Sequence, residues 1–253
     1  MARYPADWAT AQAPIAIGPH EVHVWRARLD PPPTALRQLE ATLSRDELER
    51  AARFRFPIHR DRFVARRSVL RLLLAGYLRL PPADVRITYT EYGKPVLAPG
   101  HTTDVRFNLS SSDHLALYAF ARGLNLGVDV ERIRPGIPEE SVAERFFAPA
   151  EVAALRALPQ SHQPAAFFDC WARKEAYVKA QGMGLSLALD SFEVSFGDGG
   201  PARLLRTVHD PQEAGRWTMQ ALDPAPGFAG ALVHEGPPCP LQFWQWPHPE
   251  TLT

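Results

Sequence analysis

The sequence predicts an α+β fold of two similar, pseudo-symmetric α/β halves with a ligand-binding cleft between them. Short apolar–polar alternations mark strands, one long amphipathic helix stands in each half, and the same order of elements returns after roughly 102 residues. Two such halves create a cleft, the usual place for a ligand.

The elements follow in order. Val22, Val24 and Ala27 alternate with polar neighbours as a strand. Ser44 and Glu47 form a capping box that opens a helix. A longer helix follows with Phe63, Leu70, Leu74 and Tyr77 on one face, then strand patterns at 85–90, 105–110 and 114–121. The second series opens with a strand at 124–131 and helical runs near 138–158. A long helix at 165–181 ends at Gly182, the residue type that tolerates the left-handed C-cap. Strands at 191–196, 203–208, 216–222 and 228–233 complete it. The division is therefore an N-terminal half at 1–122, a C-terminal half at 123–235 and a Pro-rich tail at 236–253. Residues 1–20 read as an irregular arm, and Phe243, Trp244 and Trp246 of the tail as aromatics able to lie over the body.

Charge excludes several partners. The 253 residues carry 28 basic and 28 acidic side chains, so there is no bulk field to draw nucleic acid or an anionic membrane. No apolar run approaches the roughly 20 residues of a membrane helix, and two cysteines suit a reducing compartment, so a cytoplasmic protein is expected. Of the 28 basic residues 25 are Arg, and three are Lys: Lys94, Lys174 and Lys179. In a sequence that favours Arg wherever either cation serves, the surviving lysines draw notice.

Candidate chemistry begins in the strand 124–131. Its alternation puts Leu124, Leu126, Val128 and Val130 on one face and Asn125, Gly127, Asp129 and Glu131 on the other. Two carboxylates facing one space repel unless a cation lies between them. Alone, the strand reads either as a solvated acidic face or as half of a divalent-cation site. The helix 165–181 adds Glu175 within an apolar stripe of Phe168, Trp171 and Val178, with Lys179 a turn further and Lys174 at the flank. A Glu175–Lys179 pair explains itself as a surface salt bridge, but not its place among aromatics. Tyr92-Gly93-Lys94-Pro95 is a turn signal, and Asn108 to Asp113 reads as a polar turn or as a set of donors for a phosphate. The run 45–71 carries nine Arg against four acids, mostly a solvated helical face with one or two Arg able to reach the cleft.

Together these groups suit a small phosphate-bearing substrate held through Mg²⁺, which takes one or two protein carboxylates alongside phosphate oxygens. No Walker loop, GxGxxG, HExxH or GxSxG pattern is present.

GVDVERIRP (127–135) and WARKEAYVKAQGMGLS (171–186) resemble the paired signatures of the 4′-phosphopantetheinyl transferases. EYGKP (91–95) and FNLSSS (107–112) extend the resemblance to the surfactin-synthetase-activating type. The resemblance implies that type's fold, with the active site in the cleft. It implies a monomeric enzyme that transfers phosphopantetheine from coenzyme A to a serine of an apo acyl or peptidyl carrier protein, leaving 3′,5′-ADP. It further implies Asp129, Glu131 and Glu175 as Mg²⁺ ligands, Glu175 and Lys179 as catalytic groups, and Lys174 and Lys179 on the pyrophosphate. Gly93, Lys94 and Pro95 would border the adenine, with Arg62, Asn108, Ser110 and Ser111 as further coenzyme contacts. Where that type commonly has His, this chain has Ser111, and Asp46 and Glu49 stand where lysines for the 3′-phosphate are expected. Either Arg50, Arg53, Arg55 or Arg60 substitutes, or dephospho-coenzyme A is discriminated weakly. The alternative from another class is a coenzyme A or nucleotide sensor without turnover.

Overall fold

Two sheets, one mixed and one antiparallel throughout, stack face to face, each covered on its outer side by one long helix. The computed structural model describes residues 8–11, 16–134, 136, 139–197 and 200–247. Parts of the expected arm (1–7 and 12–15) and tail (248–253) lie outside the described residues, as does residue 138.

In the first half β1 (Ala9–Thr10) and β2 (Val22–Arg28) precede α1 (Pro33–Glu40), α2 (Arg45–Ala51) and α3 (Pro57–Leu78). The small hairpin β3 (Ile87–Tyr89) and β4 (Pro95–Leu97) follows, then β5 (Val105–Ser112) and β6 (Leu115–Arg122). The strand expected over 85–90 starts only at Ile87, because Pro81 and Pro82 direct the chain into a 3₁₀ turn first. The second half runs β7 (Leu126–Arg132), α4 (Glu139–Phe146), α5 (Pro149–Ala157), α6 (Gln163–Gln181), β8 (Phe192–Val194), β9 (Leu204–Thr207), β10 (Trp217–Leu222) and β11 (Phe228–Glu235). The run at 138–158 is thus two helices, and Pro149 starts the second at a position where its missing N–H costs nothing.

The halves repeat each other strand for strand. β2, β6 and β5 lie side by side and antiparallel, and β7, β11 and β10 do the same in the second sheet. Val22, Val24, Leu117 and Ala119 from one sheet meet Val128, Val130 and Leu232 from the other in a shared apolar layer. Outside it, α3 covers Trp25, Tyr118 and Phe120, while α6 covers Ala229, Ala231 and Val233.

The repetition reaches the buried charges. Glu47 caps α2 by accepting the Ser44 N–H at 2.9 Å and pairs with Arg67 and Arg71 of α3. Glu151 caps α5 by accepting the Ala148 N–H at 2.9 Å and pairs with Lys174 of α6. Arg71 also donates to the Pro82 and Val85 carbonyls, as Lys174 does to those of Leu189 and Phe192. A charge inside protein survives only when its partners replace water, and both networks achieve that.

The tail contains a strand. β12 (Leu241–Gln245) inserts between β1 and β2, parallel to both, and completes a sheet ordered β1-β12-β2-β6-β5. Its aromatics hold it there: Phe243 meets Trp8 edge-on at 5.3 Å, and Trp244 and Trp246 pack on the buried Trp25. Among the described residues, no helix is long and apolar enough to cross a membrane.

Candidate active site

Gly127 sets the geometry. A Cβ at this position would lie 2.1 Å from the Ala176 carbonyl oxygen and 2.4 Å from the Ala180 nitrogen, so only glycine lets α6 lie directly on β7. Strand alternation then turns Asp129 and Glu131 to the same side as Gly127, towards Glu175 and Lys179 of α6. The face assignment made from sequence holds, because Leu126, Val128 and Val130 enter the core between the sheets.

β5 runs alongside β7 and joins it through side chains. Asn108 Oδ1 accepts the Val128 N–H at 2.9 Å, Ser110 Oγ donates to Asp129 Oδ1 at 2.7 Å, and Ser112 Oγ donates to Glu131 Oε2 at 2.8 Å. Ser112 also accepts the Arg132 N–H. The NLSSS segment is therefore the seam between the halves. Ser112 was not among the predicted residues, although the two-residue period that selects Ser110 also selects it.

Asp129 is almost fully buried at 2% exposure. Its Oδ1 receives the Lys179 ammonium at 2.6 Å, and Lys179 also donates to Ser110 Oγ at 2.9 Å. Its Oδ2 is buried without a hydrogen-bond partner. Burial raises Glu131 to about 7, with the Asp129 charge adding to the effect and Ser112 and Lys179 opposing it. Burial likewise raises Glu175, against the pull of Lys179. Three carboxyl groups thus share a space that holds too little positive charge for all of them. Among the described residues no three such side chains already converge as a finished cage.

The cavity beside this cluster measures about 520 Å³. Gly93, Lys94, Pro95 and Asn108 line one side, Glu175 and Lys179 another, and the loop Gly184–Asp190 a third. Arg145 and Phe146 of α4 also line it and were not predicted. Gly93 sits at φ 78, which makes the tight turn possible.

Other predicted residues stand elsewhere. Lys174 is fully buried, with its ammonium 2.6 Å from Glu151 and over the Phe192 ring, which corrects its expected seat on a phosphate. The stripe reading misplaced it because α6 is enclosed by β7, β11, α4 and α5, so the flank of the stripe is core too. Lys94 lines the cavity, but its ammonium is bonded to the Leu126 and Lys179 carbonyls. Arg62 is tied to Asp30 and Asp113, and Ser111 accepts a bond from Arg66, one helical turn after Arg62. Arg60 pairs with Glu40 and Asp61, and Arg55 lies over Phe56. Arg50 and Arg53 line a separate cavity of about 550 Å³ with Tyr89, Asp46 and Glu49.

The sequence that builds this site matches known proteins along nearly its whole length. Residues 125–233 match the family profile described as the 4′-phosphopantetheinyl transferase superfamily, and residues 27–122 match that of the 4′-phosphopantetheinyl transferase N-terminal region. The 4′-phosphopantetheinyl transferase HetI of Nostoc sp. is 39% identical over 240 residues, covering 94% of this chain and 98% of that one. The 4′-phosphopantetheinyl transferase Sfp of Bacillus subtilis is 30% identical over 227 residues, covering 85% and 97%. Among solved structures, the holo-[acyl-carrier-protein] synthase of Thermotoga maritima covers 45% of this chain and 64% of its own, with a TM-score of 0.36 and 24% identity. The chain belongs to the 4′-phosphopantetheinyl transferase superfamily, and it is a transferase of that kind.

Proposed function

We propose that this enzyme moves the 4′-phosphopantetheine group of coenzyme A to a serine hydroxyl of an apo acyl or peptidyl carrier protein. The observation that carries the reading is the unpartnered, buried Oδ2 of Asp129, standing with Glu131 and Glu175 around one space beside Lys179. An orphaned carboxylate oxygen among mutually repelling acids fits Mg²⁺, which Asp129, Glu131 and Glu175 would hold together with the pyrophosphate. Bound there, the ion would neutralise phosphoryl charge and orient the pyrophosphate.

The protein's own groups do the rest. Glu175, with its proton affinity raised by burial, accepts the serine proton as the serine oxygen bonds to the phosphorus bearing pantetheine. The bond from that phosphorus to 3′,5′-ADP breaks, and Lys179 meets the charge that collects on the departing phosphate. The turn Gly93–Pro95, which lines the cavity, would border the coenzyme. Such transfer depends on positioning and charge neutralisation more than on covalent help.

The test is mass spectrometry of apo carrier proteins of fatty-acid, polyketide and peptide type incubated with the enzyme, coenzyme A and Mg²⁺. A gain of about 340 Da on the carrier, the added phosphopantetheine, is expected. Ligand binding without a gain on any carrier would leave a coenzyme sensor in its place.

A further inference from the structure

We propose that Lys94 is a positioning residue, a cap donated by the first half to the end of α6, which fixes where Lys179 and Glu175 stand relative to Asp129. The inference rests on the function proposed above. Lys94 Nζ donates to the Leu126 carbonyl at 3.1 Å and to the Lys179 carbonyl at 2.5 Å. Leu126 opens β7, the strand of Asp129 and Glu131; Lys179 lies in the last turn of α6, the helix of Glu175. One ammonium from the opposite half thus binds together the two elements that carry the site.

The rest of the side chain follows the same logic. Helix carbonyls in the last turn lack intrahelical donors and carry partial negative charge, which favours a cation there. Gly182 closes α6 at φ 74, and a Cβ on it would sit 3.9 Å from Lys94 Cδ, so the lysine stem runs against the helix end. A Cβ on Gly184 would stand 3.2 Å from Tyr92 Cβ, which shows how closely the 91–95 turn seats on the loop after the helix. The stem also forms the wall between the 520 Å³ cavity and a neighbouring one of about 590 Å³. Among the described residues no carboxylate pairs with Lys94, whose half-buried ammonium is met by carbonyls. A compact ammonium fits between two carbonyls in a way that a planar guanidinium does not.

This role differs from a direct grip on the coenzyme, and a double-mutant cycle separates the two. Lys94→Met should lower kcat for carrier modification about tenfold or more while KM for coenzyme A stays within about twofold, since small displacements of catalytic groups cost that much. In a Lys179→Ala background the same change should cost clearly less than it does alone, because part of its effect passes through Lys179. A raised KM with unchanged kcat, or effects that multiply, would overturn the proposal. Amide hydrogen exchange on the ligand-free protein tests it without any turnover. Lys94→Met should speed exchange about tenfold at residues 178–182 and at the start of β7, and leave the core of the first half unchanged. Unchanged exchange at the helix end, or faster exchange everywhere, refutes the cap. If wild type modifies no carrier while exchange changes as expected, the proposed function fails and the cap stands.

Discussion

The Lys174 ammonium lies 2.6 Å from the Glu151 carboxylate, sealed within the C-terminal half. Removing one member of such a pair leaves the other charged and unsolvated. Lys174→Met is expected to cost about 3–5 kcal/mol of stability, read from urea denaturation midpoints. Adding Glu151→Gln should recover part of the loss, and KM for coenzyme A should stay near wild type. A selective rise in KM with full stability would return Lys174 to the ligand.

Gly127→Ala tests how closely α6 must approach β7. The new Cβ would meet the backbone of Ala176 and Ala180, which cannot rotate aside. The helix has to lift, taking Glu175 and Lys179 with it. Transfer should fall about 100-fold in kcat, at a stability cost of about 1–3 kcal/mol. Near-normal kcat would show that the approach is dispensable.

Lys179 pairs with Asp129 in the ligand-free protein, so it would compete with a divalent ion for that carboxylate. Lys179→Met should bind Mn²⁺ without coenzyme A about tenfold more tightly than wild type, by electron paramagnetic resonance of free Mn²⁺. The same variant should lose about 100-fold or more in transfer, the usual loss when a group that meets developing charge is removed. Equal Mn²⁺ affinities would contradict the competition.

The acidic cluster also predicts a pH dependence of stability. Glu131 titrates near 7 in the native protein against 4.5 when unperturbed. Between these values the folded state binds more protons than the unfolded one, so this group's contribution to stability falls as pH rises through the window and levels off above it. Glu131→Gln removes that contribution and keeps an acceptor for Ser112. Measured without metal at about pH 5 and about pH 7.5, the variant should gain on wild type at the higher value. Parallel curves would count against the raised affinity.

Much of this was legible in the sequence because it rests on short-range periods. Alternation put Asp129, Glu131 and Gly127 on one face, and the recurring order of elements gave the doubled fold. What escaped depended on what surrounds an element. Helix period alone could not tell that α6 is covered on nearly every side, so Lys174 was given to the ligand instead of to Glu151. Lys94 was found as a cavity residue, but its carbonyl partners lie 32 and 85 positions along the chain. The paired networks around Glu47 and Glu151 were half visible: the capping box at Ser44 was read, but its counterpart begins at Ala148 and lacks the hydroxyl that marks the motif.

The place of β12 makes the sheet of the first half depend on residues from the far end of the sequence. Strands β7, β10 and β11 arise from one continuous stretch, so their sheet needs no strand from elsewhere in the chain. The sheet of the first half needs residues 241–245, which dock against a strand over two hundred positions earlier. The half that comes first in the sequence therefore depends on the last described strand for its complete sheet. Until that strand docks, Trp25 lacks its cover of Trp244 and Trp246, and the unpaired edge of β2 is the surface a chaperone or a stray strand would meet.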